Sequence, residues 1–123
     1  MNAQVETHYA AAGSVVARVR DALVAAGKDL TRLTNEDLAA VSEFHIRGRR
    51  ATLELAERME LRPGCQVLDI GSGLGGPART LAEVYGSRVT GVDLTLAYCE
   101  AATAMAQWVG LADKVRFVQG DAT

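Results

Sequence analysis

The chain has 123 residues, 49% of them hydrophobic and 23% charged, with a formal net charge of −2, a composition that fits one globular domain or part of one. That charge gives no broad attraction to nucleic acid or to an anionic membrane, and no apolar run approaches the roughly 20 residues that span a bilayer. The segment Met1 to His8 has neither a basic start nor a continuous apolar stretch, so no signal peptide is read and a cytoplasmic location is expected. Cys65 and Cys99 are far apart and outside any metal-ligand spacing. Each is expected to act as a small hydrophobe, and no metal site is expected.

Residues 1–62 read as a helical region. Val15, Val16, Val19, Leu23 and Ala26 share one helical face, and Gly27 is a stop signal. A second helix is expected from Thr34, whose hydroxyl can cap it while Asp37 places negative charge in the first turn. Leu38, Val41 and Phe44 continue its apolar stripe. Gly48 interrupts the pattern before Ala51, Leu55, Ala56 and Met59 resume it.

The texture changes at Pro63-Gly64, a turn signal. Cys65 to Ile70 reads as a short buried strand, followed by a glycine-rich turn over Gly71 to Gly76 and a helix with Pro77 in its first turn. That helix should turn Ala78, Leu81, Ala82 and Tyr85 inward and stop at Gly86. Arg88 to Asp93 reads as a second strand. Thr95 is expected to cap a helix with Leu96, Cys99, Ala102 and Met105 on its apolar face, ending near Gly110. Val115 to Gln119 is a third strand. Strand, helix, strand, helix, strand at this spacing predicts a βαβαβ unit over 63–123 with a parallel sheet. Right-handed crossovers gather the loops at the strands' C-terminal ends on one edge, where ligands bind in open α/β sheets.

The glycine turn satisfies two patterns. Gly71, Gly73 and Gly76 fit G-x-G-x-x-G, the dinucleotide pattern, and Gly71, Gly73 and Gly75 fit G-x-G-x-G. Alone, neither selects a cofactor. Asp93 ends the second strand where an acid can accept from both ribose hydroxyls. Asp69 lies two positions before Gly71; a carboxylate there repels a pyrophosphate and attracts an ammonium group. This favours a cofactor with an amino-acid tail over NAD or FAD. Asp121 lies at the tip of the third strand, where it could accept from an adenine amine while the Ala122 N–H donates to a ring nitrogen. For each acid the plainer role is local: bracing the loop, capping a helix or closing a turn.

With these residues in view, the chain resembles the class I S-adenosylmethionine-dependent methyltransferases. Val67 to Arg79 looks like that family's first motif, Val89 to Thr95 like its acidic loop, and Phe117 to Ala122 like its second motif. The resemblance implies an α/β, Rossmann-like three-layer αβα sandwich with an N-terminal helical region, a small-molecule methyl acceptor, and S-adenosylmethionine as cofactor. It implies that Asp69 holds the cofactor's amino group, that Gly71 and Gly73 pack on its methionine part, and that Asp93 takes the ribose hydroxyls. Leu94 would pack on the adenine, with Asp121 and Ala122 at its edge. Residues Leu33 to Leu38 and Glu43 to Thr52 are similar to small-molecule methyltransferases of the quinone-biosynthesis and sarcosine/dimethylglycine type. In those the N-terminal helices cover the cofactor, which makes Tyr9 and His45 candidate lid or substrate contacts, though a helix-surface or core role is favoured for both. Arg47, Arg49 and Arg50 could attract an anionic acceptor, but a solvated helical face is favoured. Trp108 and Met105 are expected to pack the core.

The family's sheet is longer, with the first strand central and the second and third in turn beside it. The sequence is therefore expected to be truncated after the third parallel strand, carrying the cofactor side of the domain without the acceptor pocket or a nameable catalytic base. The competing readings are a fragment of an NAD- or FAD-dependent oxidoreductase and a non-catalytic Rossmann-like interaction module.

Overall fold

The computed structural model describes residues 15–42 and 48–121. Tyr9, Phe44, His45, Arg47 and Ala122 lie outside the described residues. In chain order the elements are a helix over residues 15–25 (α1), α2 (Asn35–Ser42), α3 (Gly48–Met59), β1 (Gln66–Ile70), α4 (Gly76–Tyr85), β2 (Arg88–Asp93), α5 (Leu96–Trp108) and β3 (Val115–Gln119). The three strands form one parallel sheet in the order β1-β2-β3.

Both connections run the same way across the sheet, β1 to β2 to β3, and crossovers of one hand then place both helices on one face. The core shows it. Val67, Val89, Val115 and Phe117 pack with Ala78, Leu81 and Ala82 of α4 and Ala106 of α5. Side chains alternate across a strand, so the row Leu68, Thr90 and Arg116 and the row Ile70, Val92 and Val118 occupy the opposite face. No described helix covers that face. Leu68 is 61% exposed and Ile70 63%, so β1 is half-buried, whereas the sequence suggested a buried strand. Among the described residues the sandwich therefore has two of its layers, the sheet and one helical layer.

A second cluster joins α1, α2 and α5: Val15, Val19 and Leu23 meet Leu38, Ala97, Ala101 and Met105. Leu74 of the glycine turn is buried in the same cluster. Trp108 packs at its margin, partly buried, with the Arg20 guanidinium 5.1 Å from its ring centroid. The Val15, Val19 and Leu23 stripe is as expected, but Ala26 lies past the helix and is exposed. Thr34 caps α2 reciprocally: its hydroxyl accepts from the Asp37 N–H at 3.2 Å, and the Asp37 carboxylate accepts from the Thr34 N–H at 3.0 Å. The second contact holds the Asp37 carboxyl below the usual aspartate range.

Three local expectations need correction. Of the α3 stripe, Ala56 is buried, whereas Leu55 and Met59 stay exposed along a groove between α3 and β1. Arg49 is only partly exposed: its guanidinium donates to the Thr80 hydroxyl at 3.2 Å and pairs with Glu83 at 3.1 Å, docking α3 on α4. Arg50 does stay on an exposed face, 3.6 Å from Glu54. Thr95 occupies the N-cap of α5, but its hydroxyl makes no cap bond; instead its N–H donates to Asp93 Oδ1 at 2.9 Å. Of the cysteines, Cys99 is buried as expected and Cys65 only partly so, its Sγ accepting from the Arg62 N–H at 3.3 Å.

Gly91, in the middle of β2, permits the close packing of the central row. A Cβ there would lie 2.6 Å from Phe117 Cδ1, 2.7 Å from Ser72 Oγ and 2.8 Å from Ser72 Cβ, so a neighbour would have to shift. Gly91→Ala is accordingly expected to cost about 1–3 kcal/mol by overpacking, read as a lower urea midpoint with an unchanged slope. An unchanged midpoint would mean that the Ser72 and Phe117 positions are softer than their packing indicates.

Candidate cofactor-binding site

The site lies where the strands end. β2 is paired on both sides, and the turn after β1 is built onto its last residues. The Val92 carbonyl accepts from the Gly71 N–H at 2.7 Å and the Ser72 N–H at 3.1 Å. Asp93 Oδ2 accepts from the Gly73 N–H at 2.9 Å. From the β3 side, the Gly120 N–H donates to the Asp93 carbonyl at 3.0 Å, and Gln119 Nε2 to the Leu94 carbonyl at 3.2 Å.

Gly71 and Gly73 have φ of 75° and 54°, the left-handed region that favours glycine. A Cβ on either would meet no described atom within 4 Å, so the outer side of the turn is open. Gly75 differs. It is the N-cap of α4 with φ of 83°, and a Cβ on it would lie 2.5 Å from Phe117 Cζ. Gly71 and Gly73 thus leave room for a ligand, while Gly75 is fixed by packing.

The sequence singled out Asp69, Gly71, Gly73, Asp93, Leu94, Asp121 and Ala122. The structure brings Asp69, Gly71, Gly73, Asp93 and Leu94 to one edge of the sheet. Leu94 is 67% exposed there, an apolar side chain held at a polar turn. Asp121 follows β3 at the same edge and is exposed.

Asp69 carries the least comfortable charge in this group. Its Oδ2 is buried and has no hydrogen-bond partner among the described residues. Burial, followed by repulsion from Asp93, pushes its carboxyl above the usual aspartate range. A carboxylate in this position calls for a cation or a donor to complete it.

The donors of the glycine turn are largely committed. The N–H groups of Gly71, Ser72, Gly73 and Gly75 are already bonded within the protein, Gly75 to the Ser72 carbonyl at 2.9 Å. A pyrophosphate would have to approach this edge past two carboxylates with those donors withdrawn. The geometry suits a cationic group near Asp69 and hydroxyls near Asp93. Among the described residues, no cluster of three or more His, Cys, Asp or Glu side chains could hold a metal ion. No described helix is long and apolar enough to cross a membrane.

Sequence reasoning missed Gly91, whose role is visible only through Ser72 and Phe117. It also passed over Arg79, which is fully buried although it sits in the same motif. An arginine in the second turn of a helix reads as a surface residue by pattern alone; an otherwise small and apolar neighbourhood was the available signal.

Residues 67–123 match the family model described as a methyltransferase domain. A sterol 24-C-methyltransferase of Gibberella zeae is 43% identical over 67 residues, 54% of this chain and 18% of that protein. A phosphoethanolamine N-methyltransferase of Zea mays is 45% identical over 49 residues, 40% of this chain and 10% of that protein. Among solved structures, a SAM-dependent methyltransferase from Thiobacillus denitrificans, in complex with S-adenosyl-L-homocysteine, superimposes with a TM-score of 0.56 at 34% identity. The superposition covers 64% of this chain and 33% of that one. The chain thus spans at most about a fifth of these two curated relatives and a third of that structure. Residues 67–123 thus match a methyltransferase domain, and over that part the chain is similar in sequence and fold to S-adenosylmethionine-dependent methyltransferases.

The strained Asp69 has a consequence for stability. A carboxyl whose folded pKa is raised favours the fold fully only below its unfolded pKa, and that contribution is lost as pH rises through the folded value. At pH 7 the ligand-free protein therefore carries a cost at Asp69. Asp69→Asn should raise the thermal midpoint at pH 7, and the gain should shrink as the pH falls toward 4. A variant less stable than the parent at pH 7 would show that the Asp69 charge is already compensated.

Proposed function

We propose that this chain supplies the cofactor-binding side of an enzyme that transfers a methyl group from S-adenosylmethionine to a small-molecule acceptor. The observation that carries the reading is the buried, partnerless Asp69 Oδ2 beside an open glycine turn in which the N–H groups of Gly71, Ser72, Gly73 and Gly75 are already bonded within the protein. An α-ammonium group completes Asp69, and the open sides of Gly71 and Gly73 admit the amino-acid tail against the backbone. Each Asp93 oxygen accepts one backbone N–H, from Gly73 or from Thr95, and retains a lone pair for a ribose hydroxyl. The exposed Leu94 offers an apolar surface to an adenine, and Asp121, at the same edge after β3, is assigned to the adenine edge together with Ala122, the next residue in sequence.

The cofactor's sulfonium supplies an already activated methyl group, so the protein's part is mainly alignment of donor and acceptor. These residues align the donor, with Asp69 fixing the tail, Asp93 the sugar and Leu94 the base. The named relatives act on a sterol and on phosphoethanolamine, both small molecules, which supports an acceptor of that size. The oxidoreductase alternative loses support from the same geometry, since a dinucleotide pyrophosphate would meet the Asp69 carboxylate at a turn where four of the N–H donors are already bonded.

Calorimetric titration tests the reading. S-adenosylhomocysteine should bind and NADH should not. Asp69→Asn should weaken the affinity by about 10- to 100-fold, the weight of a charge-assisted hydrogen bond of about 1.5–3 kcal/mol. Affinity should also fall on acidification, because a protonated Asp69 no longer attracts the ammonium group. Binding of NADH in preference, or an Asp69→Asn affinity equal to the parent's, would overturn the assignment.

A further inference from the structure

Arg79 is fully buried in the second turn of α4, and its guanidinium reaches in two directions. Nη1 donates to the Leu74 carbonyl, inside the glycine turn, at 2.6 Å. Nε donates to Asn35 Oδ1, on the first residue of α2, at 3.0 Å. Asn35 is itself buried and donates from Nδ2 to the Thr80 hydroxyl at 3.4 Å, the same hydroxyl that accepts from Arg49 of α3. Leu74 is held a second time by its side chain, which lies in the cluster formed by α1, α2 and α5. The Thr34 cap sets where Asn35 sits at the start of α2.

From this arrangement we infer that Arg79 is a positioning residue for the cofactor turn, and that the N-terminal helices act through Asn35 as a bracket holding that turn from behind. The physical case rests on what the turn lacks. Gly71, Gly73 and Gly75 carry no side chains, so the turn has no anchors of its own at those positions, and glycine loses the most conformational freedom on ordering. Asp93 and Val92 secure its first half through the N–H groups of Gly71, Ser72 and Gly73. Its second half is secured at Leu74, by a carbonyl bonded to a buried cation and by a buried side chain. The fork of a guanidinium suits this use: one planar group bonds two acceptors on different elements, which an ammonium on a flexible stem does less well. Gly75 makes room for it, since a Cβ there would lie 3.1 Å from Arg79 Nη1. Through Asn35, α2 thereby supports the cofactor turn from behind.

The inference rests on the proposed function only for its affinity readout. Hydrogen exchange of the backbone over residues 71–76, the urea midpoint and S-adenosylhomocysteine affinity are to be measured together for Arg79→Lys, Asn35→Leu and Asn35→Asp. Leu111→Ala, buried in the other cluster and away from the turn, is the control of lowered stability. Arg79→Lys and Asn35→Leu should each speed exchange in the turn beyond the change in global stability and weaken S-adenosylhomocysteine by about ten-fold. Asn35→Asp keeps an acceptor for Arg79 and should stay within about three-fold of the parent in both readouts. Leu111→Ala should lose stability without selective exchange in the turn. If Asn35→Leu does not fold, Arg79→Lys against Leu111→Ala carries the same comparison. Turn exchange in Arg79→Lys that follows global stability alone, as in Leu111→Ala, overturns the bracket. A parent protein that binds no S-adenosylhomocysteine overturns the cofactor assignment instead, and the exchange comparison still decides the role of Arg79.

Discussion

The end of β2 is the point on which the rest of this edge depends. A parallel sheet wound in one direction leaves each strand's last residues beside a turn belonging to another strand, and the middle strand alone borders both. Asp93 uses that position fully. One carboxylate oxygen holds the Gly73 N–H of the turn after β1, the other holds the Thr95 N–H that starts α5, and its carbonyl takes Gly120 after β3. These contacts join the three turns to one another and help to fix the shape of a turn rich in glycine, whose ordering costs conformational entropy. The acid that presents itself as a ligand for a sugar is thus also the residue that orders the surface around it.

That arrangement sets the electrostatics of its neighbour. Asp69, Gly91 and Phe117 form one row across the sheet, and the missing side chain at Gly91 lets Ser72 and Phe117 close over the row's centre. Asp69, in the same row, has a buried Oδ2, and Asp93 stands near enough to repel it. A neutral residue at 69 would make a more stable ligand-free protein. Retaining a carboxylate there makes sense when a cation completes the site, which is the usual exchange of stability for function at a binding position.

Much of this was legible from residue order. Hydrophobic spacing and the Pro-Gly and Gly signals placed all three strands and both crossover helices, because those elements are short, regular and bounded by residues with strong backbone preferences. Asp69 and Asp93 were legible as a pair because strand-end position follows from the same pattern. What escaped were features set by distant partners. Arg49 reads as a solvent-facing charge until Thr80 and Glu83 of α4 come beside it. Thr95 reads as a capping hydroxyl, but Asp93 takes the N–H that fixes the local turn. Exposure of Leu68 and Ile70 follows from both crossovers lying on one face, a property of the winding rather than of the strand's own apolar composition.

The two glycine patterns in the turn were ambiguous for a physical reason. Both describe where the backbone must take a left-handed conformation and where an approaching group needs space, and those demands are the same for a dinucleotide and for an amino-acid-tailed nucleoside. The cofactor class is decided by the destination of the turn's N–H groups. If they point outward, they form an anion cradle; if they fold back on the neighbouring strand, the turn is a neutral wall. Here Val92 and Asp93 draw back the N–H groups of Gly71, Ser72 and Gly73, and the charge at the strand tip is the Asp69 carboxylate. In the proposed reading the acids flanking the glycines make a generic turn one that prefers a cationic tail, and the buried Arg79, bonded to the Leu74 carbonyl, holds that turn from behind.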